Sequence, residues 1–133
     1  MTKDEIVEIL KSKRDLKKNV FVCGNGGSAA NAEHFSNDLF SKGVRAHCLN
    51  SNTSIMTMIA NDFGYDRVFS KQLEVYANEG DLVIMISCSG TSKNIVEVLK
   101  IDIEKIEIFG GHGTYGDKES AHQTLLHQIS EAL

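Results

Sequence analysis

The 133-residue sequence contains no proline, only three cysteines, and no long apolar run. Without proline there is no proline-rich linker, and no repeat or low-complexity tract divides the chain, so residues 1–133 read as one domain with one core. Cys23, Cys48 and Cys88 are odd in number and lack metal-finger spacing. They fall in or at the ends of apolar runs, where small buried thiols are common. A reducing, cytoplasmic setting is the expectation. No apolar stretch reaches membrane-spanning length and Met1-Thr-Lys-Asp-Glu5 is polar, so neither a membrane span nor a signal peptide is expected. An excess of positive charge is also missing. The formal net charge of −4 gives no electrostatic reason to expect nucleic acid or an anionic membrane as a partner. The one basic cluster, Lys11–Lys18, reads as the solvated end of a first helix, where the helix dipole favours cations.

What is present alternates in period. Residues 3–14 carry Ile6, Ile9 and Leu10 at helical spacing. Val20–Cys23 is a short continuous apolar run, as expected of a strand buried on both faces. Ser28–Lys42 reads as a helix with Ser28 as its cap and Ala29, Ala32, Phe35 and Leu39 on one face. Val44–Leu49 fits a second strand, Asn52–Ile59 and residues 68–77 two helices, and Leu82–Ile86 the strongest strand. Ile95, Val98 and Leu99 mark another helix, Ile106–Phe109 a last strand, and a final helix runs to Leu133. Alternating β and α elements predict a doubly wound parallel sheet flanked by helices on both faces.

Two strand ends carry unusual chemistry. Gly24-Asn25-Gly26-Gly27-Ser28 lets the backbone approach a ligand closely and leads into a helix N-terminus, which favours an anion. Ser87-Cys88-Ser89-Gly90-Thr91-Ser92 offers five hydroxyl or thiol side chains in six positions, again at a helix start. Either loop alone could be a plain turn, since glycine and serine are common there. Together, at strand tips, they point to a phosphate monoester. Neither loop has the later glycine of the dinucleotide fingerprint, and no Walker lysine follows, so a nucleotide is not implied.

These loops, with Ala29–Phe35, Thr53-Ser54, Ile59–Gly64, Val68–Gln72 and Ile86–Asn94, resemble the sugar isomerase (SIS) domain family, in particular its branch that isomerises seven-carbon sugar phosphates. The resemblance covers most of residues 18–100 and returns weakly in the last helix. It implies an SIS-type, flavodoxin-like sandwich. It also implies a homotetramer with shared active sites, a place in heptose synthesis for lipopolysaccharide or capsule, and sedoheptulose 7-phosphate as substrate. Ser28, Ser87, Ser89 and Ser92 become expected phosphate ligands, within loops that also bring Gly26, Gly27 and Cys88. Asn25 and Asp62 become expected sugar contacts, although Asp62 reads equally well as a turn cap.

His34 and Asp38 stand four apart on the helix that begins at the glycine loop, so both project from one face. Glu119, Gln123 and His127 form a polar stripe on the last helix, from which His122 points away. The family places a metal, usually zinc, on a histidine and a carboxylate of the first of these helices and on a glutamine and a histidine of the last. Carried over by position, His34, Asp38, Glu119 and His127 are the expected ligands, with Asp38 in place of glutamate and Glu119 in place of glutamine. Two histidines and two carboxylates suit zinc. Gln123 is the alternative ligand, His122 a candidate support, and His47 and His112 are assigned no metal role.

Such a site implies aldose–ketose isomerisation through an enediol, with Asp38 as base and His127 moving protons at the sugar oxygens. A non-catalytic SIS module that binds a sugar phosphate or a protein, and an isomerase of another phosphorylated sugar, are the competing readings. The four ligand-type residues distinguish the enzyme from the module, and nothing in the sequence sets the sugar's length. One departure from the family stands out. Only Ile101–Lys105 separates the fifth helix from the last strand, where relatives carry an additional β-α unit, and the helical segment before residue 18 is short as well. Either the sheet has four strands, not five, or the sequence lacks segments of a longer chain.

Overall fold

The computed structural model describes residues 1–133. Helix α1 (Lys3–Asp15) leads into strand β1 (Asn19–Gly24), α2 (Gly27–Ser41), β2 (Arg45–Cys48) and α3 (Thr53–Asp62). A 3-10 turn (Tyr65–Arg67), α4 (Ser70–Tyr76), β3 (Leu82–Ser87), α5 (Lys93–Leu99), β4 (Glu104–Phe109) and α6 (Tyr115–Glu131) complete the chain. All strand pairs are parallel, in the order β2-β1-β3-β4, so the expected doubly wound parallel sheet is present, with four strands in this chain.

Strand pleating divides the core in two. Val20 and Val22 of β1, with Leu82, Ile84 and Ile86 of β3, pack against α1, α2 and α6 through Leu10, Phe35, Leu39, Leu126 and Ile129. The alternate residues Phe21, Cys23, Val83 and Met85 face Ile59, Phe69, Leu73, Ile95 and Val98 on the other side. Both central strands are therefore apolar on both faces, which explains their unbroken runs in sequence. Buried Asp81 fixes their starting level, accepting hydrogen bonds from the backbone N–H groups of Asn19 (2.9 Å) and Asn78 (2.8 Å).

Several boundaries differ from the sequence reading, among them the end of α3, which runs on to Asp62, and the start of β4, which begins at Glu104. Gly26, not Ser28, occupies the N-cap of α2; Ser28 lies buried in its first turn and supplies no cap. The fourth helix begins at Ser70, because a separate 3-10 turn intervenes after Gly64. Strand β2 shrinks to Arg45–Cys48, an edge strand with exposed and half-buried residues.

Candidate active site

Strand order reverses between β1, whose crossover leads to β2, and β3, which leads on to β4. In such sheets ligands bind beyond the carboxyl ends of the strands at this switch point. A cleft of about 80 Å³ lies there, lined by Asn25, Ser28, Ser87, Cys88, Ser89, Ser92, Tyr115 and Glu119. Its size suits a phosphoryl group, not a nucleotide, since drug-sized pockets occupy about 300 Å³ or more.

The backbone at the cleft is short of acceptors. The N–H groups of Asn25, Gly26 and Gly27, and those of Cys88, Ser89 and Ser92, find no partner in the chain. Helices α1, α3 and α6 are capped by the side chains of Thr2, Asn52 and Thr114, whereas α2 has no capping side chain. Ser87 Oγ accepts from Gly90 N (2.8 Å) and Ser89 Oγ from Thr91 N (3.2 Å), so their hydroxyl protons are free to donate. Successive unpaired N–H groups and free hydroxyl donors together make an anion-binding concavity without a fixed cation.

Residues outside the expected set hold this loop in place. Asn25 and Asn94 form a reciprocal amide pair at 2.8 and 2.9 Å, and Tyr65 Oη donates to Asn25 Oδ1 at 3.1 Å. Asn50 continues the ladder past the end of β2, its side chain bonding both the N–H and the carbonyl of Gly24. Asn94 closes the stretch that carried the family resemblance and could have been singled out from it. Tyr65 and Asn50 sit in irregular segments and leave no periodic signal.

Helices α2 and α6 run side by side in the same direction. Asn31 Nδ2 donates to the Glu119 carbonyl (3.0 Å), His34 faces Gln123, and Asp38 faces His127. His34 Nε2 and His127 Nδ1 each lie 3.5 Å from Asp38 Oδ2, and the two rings meet edge to face with centroids 4.8 Å apart. The remaining ring nitrogens point at one amide: Gln123 Nε2 is 3.2 Å from His34 Nδ1 and 2.9 Å from His127 Nε2. Gln123 Oε1 is buried with no partner.

His34, Asp38 and His127 form the one group of three metal-ligating side chains in the chain, with donor atoms within 4.8 Å of one another. A tetrahedral zinc shell with ligands at about 2.1 Å has edges of about 3.4 Å; both 3.5 Å nitrogen–oxygen separations fit, and the widest donor separation, 4.8 Å, has to close by more than an ångström on binding. Three protein donors with one position left open is the pattern of a catalytic zinc.

The other expected residues are placed as follows. Glu119 is not brought to this group. It lies near the level of Asn31, lines the cleft at the strand tips, and packs so closely on Gly27 that a Cβ there would overlap its carboxylate. Asp62 ends α3 with its carboxylate bonded by Asn61 and does not line the cleft. His122 is buried and engages the Gly110 carbonyl at 2.8 Å, away from the imidazole pair. His47 faces Asn19, and His112 is exposed. The cysteines are free. Burial pushes the Cys23 thiol far above its ordinary range and raises that of Cys48.

Residues 4–102 match the family model described as SIS domain. The chain is 47% identical over 88 residues to a phosphoheptose isomerase of Aliarcobacter butzleri, covering 62% of this chain and 47% of that protein. It is 41% identical over 118 residues to one of Clostridium acetobutylicum, covering 81% of this chain and 60% of that protein. The chain thus spans about half the length of the curated relatives it matches. The solved structure of phosphoheptose isomerase GmhA from Neisseria gonorrhoeae superimposes with a TM-score of 0.92 at 29% identity, over 97% of this chain and 83% of that one. Fold, glycine loop and family match agree: the chain belongs to the SIS domain family.

Proposed function

We propose that the protein is a sugar-phosphate isomerase that interconverts sedoheptulose 7-phosphate and D-glycero-D-manno-heptose 7-phosphate, in the heptose synthesis that supplies lipopolysaccharide or capsule. The observation that carries this reading is the convergence of His34, Asp38 and His127 beside a phosphate-sized cleft on the same pair of helices. Glu119, at the cleft, and His127 are eight residues apart on α6, about 12 Å along the axis. The phosphoryl end and the reacting end of the substrate are thereby held apart, as a multi-carbon sugar requires.

In this reading the loop amides and the hydroxyls of Ser28, Ser87, Ser89 and Ser92 hold the phosphoryl group, and Asn25, fixed by Asn94 and Tyr65, meets the sugar chain. Asp38 takes the proton from C1 of the ketose, the C1–C2 enediol forms, and the proton returns to C2. The hydroxyl proton passes from O1 to O2, so the reaction ends with C1 as aldehyde and C2 as alcohol, with His127 beside these oxygens as a holder of the metal. Asp38 Oδ2 faces the two imidazoles, while Oδ1 makes no hydrogen bond and is the oxygen available as base. Zinc on His34, Asp38 and His127 would supply Lewis-acid polarisation of the sugar carbonyl.

Self-association belongs to the same proposal. An apolar groove of about 390 Å³ between α3 and α4 is lined by Ile55, Met58, Ile59, Phe63, Val75 and Tyr76, several of them exposed. A face of this kind is covered in oligomeric proteins.

Purified protein supplied with zinc and sedoheptulose 7-phosphate should yield an aldose phosphate detectable by NMR. His127→Ala should abolish turnover while leaving the fold intact. Binding of the sugar phosphate without turnover, in protein containing one zinc per chain, would overturn the isomerase reading in favour of a binding module.

A further inference from the structure

Gln123 bonds both imidazoles, yet its carbonyl oxygen has no partner although it is buried. As placed, its NH₂ group donates to His34 Nδ1 and His127 Nε2. Those nitrogens must then present lone pairs, so the ring protons sit on His34 Nε2 and His127 Nδ1, which both face Asp38 Oδ2. That arrangement is internally consistent: each ring accepts from the amide and donates towards the carboxylate.

A metal ion between the rings and Asp38 demands the opposite pattern. It takes the lone pairs of His34 Nε2 and His127 Nδ1, which moves both ring protons to the nitrogens facing Gln123. An NH₂ group would then meet two N–H donors. Turning the amide end for end replaces it with Oε1, the unpaired oxygen, which can accept from both rings at once. The exchange needs only rotation about the terminal side-chain bond, since the two ends of an amide have nearly the same shape.

We propose that Gln123 is a positioning residue whose amide takes two orientations, donating to both imidazoles in the metal-free protein and accepting from both when a metal is held. It thereby selects the ring nitrogens that receive the ion. This inference rests on the reading of His34, Asp38 and His127 as a metal site. It assigns Gln123 a task distinct from that of a ligand, because the amide contacts the nitrogens on the side away from Asp38.

The test compares the wild type with Gln123→Met, which keeps similar volume without an acceptor amide, and Gln123→Glu, which offers acceptors only. Zinc affinity is measured by competition with a chromophoric chelator, and ring protonation by ¹⁵N NMR of the imidazoles with and without zinc. In the metal-free wild type, His34 should carry its proton on Nε2 and His127 on Nδ1, and zinc should move both to the other nitrogen. Zinc affinity should fall about 10- to 100-fold in Gln123→Met and be retained in Gln123→Glu. Equal affinity in the wild type and Gln123→Met, loss in Gln123→Glu matching that in Gln123→Met, or ring protons that stay in place on loading would each overturn the inference. If Gln123→Met fails to fold, the wild-type spectra and Gln123→Glu still decide. A wild type that takes up no zinc at all sinks the metal reading itself, and its own titration reports this separately.

Discussion

Gly24→Ala should damage the protein through space alone. A Cβ at this position would lie 2.7 Å from the Ser28 carbonyl oxygen, 2.8 Å from the Ser28 carbonyl carbon and 2.8 Å from the Ile86 carbonyl oxygen. Ordinary contact begins at 3.4 Å, so the first turn of α2 must draw back from β1 and β3 by about 0.7 Å. All three atoms are backbone, and none can rotate aside. Overpacking of this kind costs about 1–3 kcal/mol, and the immobile neighbours place this site at about 2–3 kcal/mol. With a urea slope of about 2 kcal/mol/M, the unfolding midpoint should drop by about 1 M or somewhat more. Gly26 supplies the contrast. Its φ is +56°, and nothing lies within 4 Å of a Cβ there. Alanine at 26 should cost about 1–3 kcal/mol from backbone torsion, and serine no more than alanine, since only branching at Cβ adds torsional strain there. The cost at 24 should instead climb from alanine to serine to valine. Urea titrations of the two series read both slopes. A Gly24→Ala variant within 0.5 kcal/mol of wild type, or a flat series at 24, would refute the steric account.

Other perturbations separate different layers of the structure. Val75 is 78% exposed in the α3–α4 groove, so Val75→Glu should leave folding intact but lower the sedimenting mass if that face joins subunits; an unchanged assembly in analytical ultracentrifugation would clear the groove of this role. The Thr114 backbone N–H holds the Asp117 carboxylate below its ordinary value of 3.8. Its contribution to the start of α6 is therefore fully present above that ordinary value and is lost as pH falls below it, through the lowered value of the folded state. Protection of the α6 N-terminal amides, taken relative to their intrinsic exchange rate at each pH, should fall on acidification in the wild type, and an Asp117→Asn variant showing the same acid dependence would count against the carboxylate. Buried Cys23 should resist alkylation in the folded protein and react only on unfolding, whereas rapid labelling of Cys23 under native conditions would contradict the packing of β1.

The central strands were legible because burial on both faces writes itself as continuous apolar sequence, as in Val20–Cys23 and Leu82–Ile86. The short Ile101–Lys105 stretch, read either as a four-stranded sheet or as a sequence lacking segments of a longer chain, joins α5 directly to β4, whose first residue is Glu104. The 3-10 turn was not legible. Tyr65–Arg67 has no buried residue, and the turn is held by Tyr65 reaching Asn25, a contact between segments 40 residues apart. The cap of α2 differs for a chemical reason: serine before an apolar period is a standard helix start, but this loop leaves its N–H groups unpaired and takes Gly26 as the N-cap, the arrangement that anion-binding helix starts share. The same vacancy that hides the boundary marks the site.

The metal group shows the limit most clearly. Period 3.6 places Glu119, Gln123 and His127 on one stripe, and His34 with Asp38 on another, but it carries no information about how far one helix is slid along its neighbour. That offset is fixed by packing. Phe35 and Leu39 of α2, with Leu126 and Ile129 of α6, bury against the same side of the sheet, and both helices advance in the same direction. Asn31 thus falls opposite Glu119, His34 opposite Gln123, and Asp38 opposite His127. With this offset the stripe splits in function. Its first residue lines the strand-tip cleft, its last belongs to the imidazole group, and Gln123 between them reaches both rings. A slip of one turn would bring Glu119 level with His34 and carry His127 beyond Asp38. The identity of the third donor is therefore a statement about helix register, and register is where the sequence of a single helix stops.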